Sequence, residues 1–146
     1  KVEEHIADAL AKGATTLAGG KRHELGGTYF EPTVLGGVDT QMKIAREETF
    51  GPVAPLFRFS DEADVVHQAN DTEFGLAAYF YARDLSRVFR VAEALEYGMV
   101  GINTGLISNE VAPFGGMKGS GWGREGGVEA LSGYTQTKNV LVDLSG

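Results

Sequence analysis

The sequence predicts an α/β layered fold with parallel strands, on three observations. Between residues 53 and 103 the hydrophobic pattern alternates strand, helix, strand, helix, strand. A helix between two strands returns the chain to the end of the sheet where it started, so the second strand runs parallel to the first. A chain of 146 residues suits one domain with a single core. The 21 glycines gather at 19–20, 26–27, 36–37, 115–116 and 119–127, which reads as many tight turns plus one long glycine-rich loop.

The elements follow in order. Val2, Ile6 and Leu10 recur every four residues and predict an amphipathic helix over 1–12, stopped near Gly13. Residues 15–18 are a short strand before Gly19-Gly20. Residues 29–35 are a second strand, edge or irregular, because Pro32 has no N–H to give a ladder. Val53, Pro55, Phe57 and Phe59 alternate through a strand over 53–59. Ser60 caps a helix over roughly 61–70, and Asp61, Glu62 and Asp64 favour its positive N-terminal end. Residues 77–82 read as a buried strand, with Tyr79, Phe80 and Tyr81 as core aromatics. Asp84 caps a helix whose apolar positions are Leu85, Val88, Phe89, Ala92 and Leu95, and Gly98 ends it. Residues 99–103 form another strand, 105–127 a long loop of the kind that usually carries function, and 128–131 a short helix. The last stretch, QTKNVLVDL (136–144), reads as a strand that must pair somewhere, on another subunit included.

Composition excludes several function classes. A net charge of −7 repels phosphate backbones, so no nucleic-acid partner is expected. No apolar run approaches the ~20 residues of a membrane helix, so no membrane partner is expected. The opening Lys-Val-Glu-Glu carries no signal peptide, and it lacks Met, so residue 1 need not be the natural start. The absence of cysteine rules out disulfides, thiolate metal sites and a thiol nucleophile within these residues, and it fits a cytoplasmic location. His5, His23 and His67 lack metal-ligand spacing and read as surface or partly packed, so no metal is expected. No G-x-S-x-G elbow supports a serine hydrolase.

Several separated motifs then carry a resemblance. YFEPTVL (29–35), EETFGPV (47–53), NDTEFGLAAYFYARD (70–84), GINTGLIS (101–108) and PFGGMKGSGWGREGG (113–127) occur in the order of the aldehyde dehydrogenase superfamily, and nearly the whole chain resembles it. GLIS and NEVAPFGG most resemble its succinate-semialdehyde dehydrogenase branch. The resemblance implies a three-layer α/β/α catalytic domain, of which residues 1–135 are the C-terminal portion and 136–146 an oligomerisation strand. The family's dinucleotide-binding domain, catalytic cysteine and general-base glutamate would precede residue 1, so this segment is expected to hold no catalytic residue.

The resemblance also assigns roles. Glu48 resembles the carboxylate that accepts hydrogen bonds from the nicotinamide ribose hydroxyls, an acceptor-only group suited to a diol. Phe50 resembles the ring that packs near the nicotinamide. Gly51-Pro52 turns the chain into the next strand, and Glu47 is scaffold. Ser108 falls where this branch places a hydroxyl on the substrate's distal carboxylate, and it also reads as a plain polar-loop serine. Phe114 resembles an aromatic wall of the substrate tunnel, or loop-anchoring packing. Asn103 resembles an asparagine that stabilises the loop after its strand.

The implied activity is oxidation of an aldehyde, succinic semialdehyde first and glutarate semialdehyde as the alternative, with NAD or NADP, in a homodimer or homotetramer. A non-catalytic assembly module is the reading from a different class, motivated by the missing nucleophile and the terminal strand. Two further motif matches are set aside. Gly121-Trp122-Gly123-Arg124-Glu125-Gly126 fits G-x-G-x-x-G but follows a loop rather than a strand, and Glu24-Leu25-Gly26-Gly27 matches the family's general-base motif in the wrong place, before YFEPTVL.

Overall fold

The computed structural model describes all of residues 1–146. They divide into two compact units, Lys1–Asp61 and Glu62–Gly146.

In the first unit, α1 (Val2–Ala11) buries His5, Ile6 and Ala9. The buried stripe therefore runs 2, 5, 6, 9 at three- and four-residue spacing, while Leu10 stays exposed. Gly13, at φ 103°, lets the chain leave the helix in a conformation that side-chain-bearing residues avoid. Strand β1 (Thr15–Ala18) pairs antiparallel with β2 (Thr33–Val38), and β2 pairs parallel with β3 (Val53–Phe57).

Of the edge or irregular strand expected for 29–35, the structure gives the second: β2 is the centre of a three-stranded sheet and its register slips against both neighbours. Pro32 sits just before the strand, where its missing N–H leaves no gap in the ladder. Pro55 lies instead in the outer strand β3, opposite Leu35. Gly36-Gly37, expected as a turn, lies inside β2. The register slips between Leu35 and Val38, and Gly37 at φ 68° supplies the bulge.

A one-turn helix, α2 (Lys43–Arg46), was not legible in the pattern. Its start is fixed from α1, where Asp8 Oδ2 accepts from the Lys43 N–H at 2.8 Å. Lys12, bonded to the same carboxylate, and the Lys43 N–H hold the Asp8 carboxyl below its ordinary range. The core beneath comprises Ile6, Ala9, Ala14, Leu35, Val38, Met42 and Ile44. Full burial of side chains such as Leu35 or Met42 contributes about 1.5–3 kcal/mol each.

The second unit runs α3 (Glu62–Asn70), β4 (Phe74–Gly75), β5 (Ala77–Phe80), α4 (Leu85–Ala94), β6 (Met99–Ile102), β7 (Met117–Lys118) and α5 (Ala130–Tyr134). Strands β5 and β6 are parallel across α4, the expected crossover unit, and β4 pairs antiparallel with β7 inside the long loop. Helices α3 and α4 are joined by Glu62, which accepts from Arg90 at 2.5 and 2.9 Å and from Arg87 at 2.9 Å. Arg90, with Arg87, lowers the Glu62 carboxyl to about 2.

Asp84 caps α4 by accepting from the Arg87 N–H at 2.7 Å. Asp84→Ala is expected to lower stability by about 1 kcal/mol and Asp84→Ser to restore most of it, read as the denaturant midpoint. The helix ends at Ala94 rather than at Gly98. Asn70 pulls the chain off it, donating to the Ala94 carbonyl at 2.8 Å and accepting from the Glu96 N–H at 2.9 Å.

One further expectation needs correction. Tyr79 and Tyr81 are exposed, because the two-stranded β5–β6 sheet leaves one face uncovered in this chain. Residues 136–146 are exposed and pair with no strand of this chain.

Candidate functional site

The segment EETFGPV leaves α2 and enters β3, and it is held at four points. The Glu47 N–H donates to the Lys43 carbonyl at 2.8 Å, closing the turn of α2, and Glu47 Oε2 lies 3.5 Å from His5 Nε2. Thr49 Oγ1 and His5 Nδ1 share a hydrogen bond of 3.0 Å. Gly51 rests against α1, where a Cβ would lie 2.4 Å from Val2 Cγ2. The Pro52 carbonyl accepts from the Thr33 N–H at 2.8 Å and starts the β2–β3 ladder.

Between these anchors Glu48 is exposed and Phe50 is 90% exposed. Phe50 adopts φ 49°, a left-handed conformation that costs a phenylalanine about 1–2 kcal/mol. The loop thus holds a carboxylate and an uncovered aromatic face two residues apart on a rigid base. Chemically that pair can accept hydrogen bonds from a diol and lie against a flat heterocycle.

In the second unit the strand β6 ends at Asn103, itself at φ 57°. Its side-chain amide accepts from the Ala82 N–H at 2.9 Å and donates to the Ala82 carbonyl at 2.8 Å, so it extends the β5–β6 ladder by one side-chain rung. Asn103, expected to stabilise the loop after its own strand, thus fastens the chain leaving β5 instead. The loop then turns through Thr104, whose hydroxyl accepts from the Leu106 N–H at 3.2 Å. Gly101 admits Ile107, whose Cγ2 would lie 2.7 Å from a Cβ there.

Ser108 follows and is exposed. Phe114 is 38% exposed and held by its backbone, which exchanges two hydrogen bonds with Glu125 at 2.7 and 2.8 Å. Ser108 and Phe114 therefore share one loop, as Glu48 and Phe50 share another, and the two loops belong to different units.

The set-aside motifs are turns. The Gly26 N–H donates to the His23 carbonyl at 2.9 Å, and Gly26 and Gly27 both have positive φ. The G-x-G-x-x-G match lies in irregular chain, with Trp122 96% exposed. His5, expected at the surface or partly packed, is fully buried against the loop that carries Glu48 and Phe50. The signal for it was present in the 2, 5, 6, 9 spacing of α1, in which a histidine occupies a core position.

Comparison with known proteins agrees with this architecture. The model of the aldehyde dehydrogenase family matches residues 1–140. The chain is 69% identical to the NADP+-dependent succinate-semialdehyde dehydrogenase of Escherichia coli K12, over 144 residues that make up 99% of this chain and 30% of that protein. It is 67% identical to the glutarate-semialdehyde dehydrogenase of Pseudomonas aeruginosa, over 97% of this chain and 29% of that protein. Among solved structures, the succinate-semialdehyde dehydrogenase of Burkholderia pseudomallei superposes with a TM-score of 0.89 at 71% identity, covering 91% of this chain and 28% of that one. The chain spans about 30% of the length of the curated relatives it matches. On sequence and on fold alike, it belongs to the aldehyde dehydrogenase family.

Proposed function

We propose that this chain supplies the cofactor-positioning loop and one wall of the substrate pocket of an NAD- or NADP-dependent semialdehyde dehydrogenase. The observation that carries the reading is the set of anchors at Glu47, Thr49, Gly51 and Pro52, between which Glu48 and Phe50 stand uncovered. In this reading Glu48 accepts from ribose hydroxyls and Phe50 packs against the nicotinamide. The nicotinamide, when bound, accepts a hydride from the aldehyde carbon. Ser108 donates to the distal carboxylate of the substrate, and Phe114 forms an apolar side of its channel. The chain holds no cysteine, so the nucleophile that captures the aldehyde comes from elsewhere in the complete enzyme. The contribution of these residues is orientation, a large term even where they make no bond.

Succinic semialdehyde is the favoured substrate and glutarate semialdehyde the alternative, in line with the names of the two relatives. Residues 1–135 are read as the C-terminal portion of the catalytic domain and 136–146 as an oligomerisation strand of a dimer or tetramer. The exposed Val140, Leu141, Val142 and Leu144 support that strand. A cytoplasmic site of action completes the reading.

The experiment is a graft of this chain in place of the matching segment of the Escherichia coli relative. The graft is expected to oxidise succinic semialdehyde faster than glutarate semialdehyde, whereas the isolated 146 residues turn over neither with NAD or NADP. Activity of the isolated chain, or a correctly folded graft that binds no nicotinamide cofactor, would refute the proposal.

A further inference from the structure

We propose that His5 is a positioning residue for the loop that carries Glu48 and Phe50. The inference rests on the cofactor role proposed above and extends it to a residue on a different element. His5 lies on α1 and is fully buried among the apolar residues of the first unit. A histidine there is a poor choice for packing alone, because each ring nitrogen removed from water calls for a partner.

One nitrogen has such a partner. Nδ1 shares a 3.0 Å hydrogen bond with Thr49 Oγ1, 44 residues along the chain. The other, Nε2, is buried without a hydrogen bond, and the nearest carboxylate oxygen is Glu47 Oε2 at 3.5 Å, beyond normal hydrogen-bond length. Both neighbours are odd-numbered loop residues flanking Glu48. The ring therefore holds the loop from beneath at Thr49, one residue after the Glu48 carboxylate and one before the strained Phe50. A phenylalanine could fill the same volume but could not hold Thr49.

The test uses the complete enzyme, as the graft described above. Thr49→Val removes the hydroxyl at nearly constant volume and keeps the apolar packing. It is expected to raise the KM for the nicotinamide cofactor and slow single-turnover hydride transfer by about tenfold, the scale of one lost hydrogen bond. The rate of alkylation of the active-site thiol stays at the parent value, while the denaturant midpoint falls modestly because the buried Nδ1 loses its partner. Thr49→Ser restores the cofactor KM. His5→Phe gives the same kinetic pattern, and His5→Asn, which keeps a polar atom near the Nδ1 position, recovers part of it.

Parental cofactor KM and hydride transfer in Thr49→Val would overturn the assignment. So would an equal loss of every kinetic parameter, thiol alkylation included, the mark of a purely structural role. Glu48→Gln measured alongside separates the two levels. If it is slow while Thr49→Val is not, only the role of His5 falls. If it is as fast as the parent, the cofactor reading of the loop falls with it.

Discussion

Glu48→Gln in the complete enzyme is expected to slow hydride transfer by about tenfold to a hundredfold while leaving the thiol fully reactive toward alkylating agents. A carboxylate offers only acceptor sites to a ribose diol. The isosteric amide replaces one oxygen with an NH2 group that meets a hydroxyl donor to donor. A hydrogen bond to a charged group is worth about 1.5–3 kcal/mol, which sets the range of the effect. The loss should fall on kcat more than on cofactor affinity, because the reacting carbon loses its alignment while the rest of the cofactor keeps its contacts. Single-turnover absorbance of the reduced nicotinamide reads the step directly. Unchanged turnover would remove Glu48 from the site.

A second large effect is expected at Gly98, where Gly98→Ala should lower stability by about 3 kcal/mol. Gly98 has an ordinary backbone conformation; what excludes a side chain is space. A Cβ there would lie 2.0 Å from the Gly115 carbonyl oxygen, and one on Gly115 would lie 2.3 Å from the Gly123 oxygen. These are backbone atoms and cannot swing aside like the end of a long side chain. The Gly98 N–H is also bonded to the Gly75 carbonyl at 3.0 Å, so it cannot retreat without breaking the link between the strand ends. The contact fixes the stretch that carries Phe114. The substitution should therefore open residues 113–120 to limited proteolysis as well as lower the denaturant midpoint. Gly123→Ala is the control, since a Cβ at Gly123 meets nothing within 4 Å. Equal behaviour of the two variants would mean that the seam yields more easily than its distances imply.

Features encoded locally were legible in the sequence. The Asp84 cap, the strand at Val53 and the span of α1 each rest on a few adjacent residues, and all three stand. Features decided by distant chain were misread or missed. Pro32 announced an irregular strand, but the ladder began one residue after it, and the neighbours on both sides of β2 lie many residues away in sequence. The end of α4 is set by Asn70, which no local pattern around Gly98 could reveal. Helix α2 is too short for a periodic signal and starts where Asp8 receives it. The aromatics of β5 looked like core because strands of this composition usually are, yet Tyr79 and Tyr81 are uncovered in this chain.

The same division applies to the candidate residues. Glu48, Phe50, Ser108 and Phe114 were found through motif resemblance, and composition or periodicity alone would have left Glu48 as one of a solvated acid pair. The apolar spacing of Val2, Ile6 and Leu10 conceals His5, because Leu10 is exposed. Taking Ala9 instead brings the histidine into the interior and next to Thr49.

The loop between α2 and β3 is pinned at Glu47, Thr49 and Gly51, and that spacing has an evolutionary corollary. Point changes at 48 or 50 alter what is displayed without disturbing how it is held. Gain or loss of a single residue in the segment would shift that register, taking Thr49 away from His5 and setting a larger side chain where Gly51 rests against Val2. In related chains the number of residues between Lys43 and Val53 should accordingly be held as firmly as the two side chains the loop displays.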